Sequence, residues 1–117
     1  MARFLAAVLA VFLFVPTAMA QEQPACALTL EEATESGEQS GYMLHAHLEQ
    51  DEAQDFMNWA ASKNGTDPAQ VGAIQLWGNG PIGYLVFYDT TRCFVTVLDG
   101  PLPAWQAMLA DWRRERA

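Results

Sequence analysis

Between Val71 and Leu98 the chain passes through three short apolar runs, Val71 to Trp77, Gly83 to Tyr88 and Cys93 to Leu98. Gly78-Asn79-Gly80-Pro81 and Asp89 to Arg92 separate them. Connections this short, made of residues that favour tight turns, read as the bends of an antiparallel meander. This feature constrains the fold most, because three strands joined in this way must lie side by side in one sheet.

The rest of the chain supplies a fourth strand and its cover. Tyr42 to Leu48 alternates, with Tyr42, Leu44, Ala46 and Leu48 on one side and Met43, His45, His47 and Glu49 on the other. Asp51 is placed as the N-cap of a helix from about Glu52 to Ser62, where Ala53, Phe56, Met57 and Ala60 recur at helical spacing before Lys63-Asn64-Gly65 ends it. Asp99-Gly100-Pro101 closes the last strand, and Pro103 falls where the first turn of a helix tolerates it. Leu102, Trp105, Met108, Leu109 and Trp112 form the stripe of that closing helix. Upstream, Thr29-Leu30-Glu31-Glu32 has the form of a capping box, and Gly37 is a natural end for a short helix starting there. The expected fold is a small two-layer α+β domain: a four-stranded, mostly antiparallel sheet in the sequence order β-α-β-β-β-α, with two helices on one face.

The first twenty residues stand apart from this pattern. Arg3 precedes an apolar run from Phe4 to Val15, Pro16 breaks it, and Ala18-Met19-Ala20 is a small-residue cleavage pattern. The run is about a dozen residues, short of the roughly 20 that span a bilayer. Residues 1–20 are therefore read as a secretory signal peptide, residues 21–41 as an N-terminal segment and residues 42–117 as the α+β domain. The expected product is a periplasmic or secreted protein with no membrane anchor after cleavage. Loss of Arg3 moves the formal charge from −8 to −9. Ten of the fourteen acids lie between Glu22 and Asp67, against Lys63 alone. A surface of that sign repels nucleic acid.

The chain has two cysteines, Cys26 and Cys93. In an oxidising compartment they are expected to pair, tethering the N-terminal segment to the sheet. Closing a loop of this length stabilises a fold by roughly 4 kcal/mol on the chain-entropy account, a large share of the ~5–15 kcal/mol that holds a small domain together.

Neither central strand has a polar side. Tyr84, Val86 and Tyr88 face one way and Leu85 and Phe87 the other; Cys93, Val95 and Val97 alternate with Phe94, Thr96 and Leu98. A sheet wet on one face should alternate apolar with polar. Either the tethered N-terminal segment covers the second face, or another chain docks there. Trp77, Tyr84 and Tyr88 are the aromatic anchors such docking would use, and self-association through the same patch is a further use of it.

His45-x-His47-x-Glu49 raises a rival reading. On a regular strand all three side chains point the same way, and two imidazoles with a carboxylate suit a divalent metal or a metal-dependent hydrolase. Same-face neighbours nevertheless lie nearly 7 Å apart against metal–ligand distances of about 2 Å, so a further ligand would be needed. No cofactor motif is present: Gly78-Asn79-Gly80 lacks the remainder of a phosphate-binding loop, and no serine sits in a nucleophile elbow. The sequence reads as a non-enzymatic exported accessory or binding protein that acts through contact with an envelope or extracellular protein.

Overall fold

A computed structural model describes residues 26–116. The expected signal peptide and the expected mature start fall outside that range. Helix α1 (Leu30–Gln39) is followed by strand β1 (Met43–Glu49), helix α2 (Gln50–Asn64), strands β2 (Ala73–Asn79), β3 (Ile82–Tyr88) and β4 (Phe94–Pro101), and helix α3 (Leu102–Arg116). The strands lie in the order β1-β2-β3-β4 and every neighbouring pair is antiparallel. Among the described residues no helix is long and apolar enough to cross a membrane.

Helices α2 and α3 cover one face, as the β-α-β-β-β-α pattern requires. Ile74, Leu76, Leu85, Phe87 and Leu48 meet Phe56 and Ala53 of α2 and Leu109 and Trp112 of α3. The Phe56 and Trp112 rings pack edge to face at 5.5 Å, and the Trp112 indole donates to Asp55 Oδ2 at 2.8 Å. Helix α2 follows β1 without a loop because Gln50 adopts a left-handed φ of 46° that reverses the chain in one residue. Its N-cap is therefore Glu49 rather than Asp51, which lies in the first turn with Glu52. At the other end Gly65, at φ 68°, takes the left-handed position that closes the helix. The last strand runs on through Asp99-Gly100-Pro101 instead of stopping there.

Helix α1 covers part of the second face. Leu30 and Ala33 pack on Ala73, Val86 and Tyr88, a small core separate from the main one. Thr29 Oγ1 accepts from the Glu32 N–H at 3.1 Å, and the Thr29 N–H donates to Glu32 Oε1 at 2.9 Å, so the capping box is present. The helix passes through Gly37 rather than ending at it. An added Cβ there would lie 3.0 Å from the Trp77 ring, so glycine is needed for the close approach of α1 to the sheet. The Cys26–Cys93 disulfide, with Cα atoms 5.6 Å apart, holds the start of this segment at the head of β4. There the chain forms an antiparallel bridge, Thr29 with Cys93.

Two β-bulges alter the expected facing. One lies in β1 between Leu44 and Ala46, the other in β4 opposite Phe87 and Tyr88. A bulge inserts one unpaired residue and reverses which side chains share a face. In β1, Leu44 is therefore opposite Trp77 on the α1 side while Ala46 and Leu48 pack into the main core. In β4, Phe94 is opposite Tyr88 and lines the α1 side with Val97, while Val95, Thr96 and Leu98 line the other.

Candidate functional site

The α1 side of the sheet centres on Gln75, a polar residue in an apolar strand and only 1 % exposed. Its Oε1 accepts from the Trp77 indole at 3.0 Å and from the Tyr88 hydroxyl at 2.9 Å. Those two donors orient the amide, so Nε2 donates to Thr34 Oγ1 of α1 at 3.0 Å and to His47 Nδ1 at 3.1 Å. All four hydrogen-bonding positions of the buried amide are occupied. His47 then carries its proton on Nε2 and donates to Glu49 Oε2 at 2.7 Å. Glu49 is clamped in turn by both ends of the Arg92 guanidinium, whose second carboxylate neighbour is Glu31 of α1. The Arg92 bond, followed by that from His47, holds the Glu49 carboxyl at about 2, below its usual 4.5. Burial pushes the Tyr88 phenol up to about 12 and keeps it a donor. Together these contacts hold α1 onto the sheet.

Two of the expected anchors belong to this assembly. Tyr88 is fully buried and Trp77 is 4 % exposed, so neither offers surface to a partner; α1 and the Gln75 amide already cover them. Tyr84 is half-buried and stacks on Tyr42 at 5.6 Å. The His45-x-His47-x-Glu49 set is divided by the β1 bulge. His47 and Glu49 lie under α1, whereas His45 sits beside Gly78 and α3, with Nδ1 3.5 Å from Gln106. Among the described residues no group of three His, Cys, Asp or Glu is placed to hold a metal ion.

Among the described residues, exposed large apolar side chains gather on β4, with Met43 and Leu44 of β1 and Ile82 of β3 exposed as well. Phe94, Val95, Val97 and Leu98 are 38, 56, 43 and 48 % exposed, on both faces of the strand. β4 is also an edge strand. At its head the Phe94 N–H donates to Leu28 O, and beyond that no described residue pairs with its outer backbone. An apolar trough of about 500 Å³ lies on the α2/α3 side, between Met57, Ala60, Trp105 and Met108 and a β4 wall of Val95 and Leu98. A groove of about 330 Å³ lies on the α1 side, where Tyr42, Tyr84, Phe94 and Val97 meet. The opposite edge, β1, exposes Met43 and Leu44 at its start and then carries His45, His47 and Glu49, polar groups of the kind that blunt an edge strand. On β4 the bulge at Val95, the exposed Asp99 and Pro101 do so, and the backbone from Thr96 to Gly100 lies open.

No protein-family model, curated protein or solved structure matches this chain.

Proposed function

We propose that this is an exported, non-enzymatic accessory or binding protein that acts by protein–protein contact in the cell envelope, and that β4 is where the contact is made. The observation that carries this reading is the coincidence on one strand of an unpaired backbone edge with exposed apolar side chains on both faces. An extended strand with free N–H and C=O groups and Asp99 as its single charge invites pairing with another chain, and monomeric proteins normally protect such edges more heavily. The export reading rests on the leader-like first twenty residues and is supported by the disulfide. The non-enzymatic reading is supported by His47, whose two ring nitrogens are both engaged within the fold, by Gln75 on β2 and Glu49 on β1.

Tagged protein recovered from its own envelope after mild cross-linking tests the proposal. Companion chains are expected with the native protein and not with a Val95→Lys, Val97→Lys double variant of unchanged circular dichroism. Identical companions from both would remove β4 from the account.

A further inference from the structure

The docking reading leaves the occupant of β4 open, and the distribution of charge bears on it. From Pro68 to Ala110 the chain carries only Asp89, Arg92 and Asp99 as charged side chains. Two of these are engaged within the fold. Arg92 binds Glu49 and Glu31, and Asp89 accepts from Thr91 and from the Cys93 N–H. Asp99 is the one charge that β4 contributes. The described acids of the first half lie on α1, β1, α2 and Asp67, and β2 and β3 carry none. The molecule is acidic toward its β1 edge and close to neutral and apolar at its β4 edge.

That asymmetry fits a second copy of the same chain. Two copies of an acidic protein repel, but over a screening length of about 8 Å at physiological salt, and pairing through β4 sets their acidic parts at opposite ends. Antiparallel strand pairing about a two-fold axis is self-complementary. A register centred on Val97 puts Val97 against its own copy and Thr96 against Leu98, with the two Asp99 carboxylates about 14 Å apart along the strands. Both apolar faces of β4 then gain cover at once, which a single added peptide strand would give less completely.

Resting on the reading of β4 as the docking site, we infer that its occupant is a second copy of this chain, joined edge to edge in a two-fold dimer with eight antiparallel strands. The trough beside α2 and α3 then continues across the two β4 strands into its counterpart. About five residues of each strand pair, less than the roughly 800 Å² per partner of a standard interface, so the dimer forms weakly and depends on concentration.

Sedimentation velocity of the protein purified from an exporting host, between about 5 and 500 µM, tests this. The mass is expected to rise toward twice the monomer value, with more dimer at higher salt because the copies share a sign of charge. Val97→Lys, and independently Val97→Asp, each of which sets two like charges against one another at the two-fold axis, should keep the protein monomeric at every concentration with an unchanged circular dichroism spectrum. If either variant fails to fold, amide hydrogen exchange in the native protein serves instead: Thr96 to Gly100 should exchange more slowly at the higher concentration, and an unchanged rate overturns the inference. A native protein that stays monomeric throughout, or variants that dimerise as well as it does, also overturns it. Companions of other mass that depend on β4, found with a monomeric protein, would sink the dimer and leave the docking reading standing.

Discussion

Replacing Gln75 with leucine should be far more damaging than its volume change suggests. The native amide accepts from the Trp77 indole and the Tyr88 hydroxyl, both in a nearly dry environment. Leucine fills similar space but leaves two buried donors without acceptors, each costing about 1–3 kcal/mol. Thr34 and His47 lie nearer the surface and can turn to water. The expected loss is therefore about 2–6 kcal/mol, a large part of the stability of a domain this size. Tyr88→Phe alone removes one hydrogen bond and should cost about 1 kcal/mol. In the Gln75→Leu background the same change removes a stranded hydroxyl and should restore about 1 kcal/mol or more. The two substitutions should thus couple by about 2 kcal/mol. Urea unfolding followed by tryptophan fluorescence measures all four corners of the cycle. A Gln75→Leu cost below 1 kcal/mol, or the same Tyr88→Phe cost in both backgrounds, would refute the hub described for this face.

Reduction of the Cys26–Cys93 bond, or a Cys26→Ser, Cys93→Ser double variant, should lower stability by about 2–4 kcal/mol, read as a fall in Tm by calorimetry; an unchanged Tm would show that α1 needs no tether. Gly37→Ala should destabilise by about 1 kcal/mol although alanine favours helix, because the added methyl meets the Trp77 ring; a stabilised variant would mean that α1 can lift without penalty. Glu49 has its folded carboxyl held at about 2, so the stability it contributes is present above its unfolded value near 4.5 and is lost as pH falls from there toward 2. Its side chain is 41 % exposed, so solvent screening reduces the contribution to about 1 kcal/mol. Glu49→Gln should flatten the acid limb of the stability–pH curve by that amount, and an unaltered limb would contradict the Arg92 clamp.

The meander was legible from Gly78-Asn79-Gly80-Pro81 and Asp89 to Arg92, since turn chemistry is local and its consequence for pairing is direct. The helical stripes of α2 and α3 were legible for the same reason, because Phe56 and Trp112 fall at the period that their burial requires. The facing of β1 was not. Tyr42 to Leu48 alternates without a break, and the bulge that divides His45 from His47 follows from pairing with β2, which no local pattern records. The burial of Trp77 and Tyr88 had one sequence signal, the glutamine between Ile74 and Leu76. A polar side chain in the middle of an apolar strand implies a covered network awaiting its partners. Gly37 misled as a helix end because glycine serves close packing as well as capping, and only the position of Trp77 distinguishes the two.

The exposed side of β4 can be probed in living cells by placing a photo-activated cross-linking residue at position 97, with a control at position 35 on exposed α1. Adducts with another protein chain from position 97 and none from position 35 are the predicted result. Equal labelling at both, or none at position 97, would contradict the claim that this strand is where the protein meets its partner.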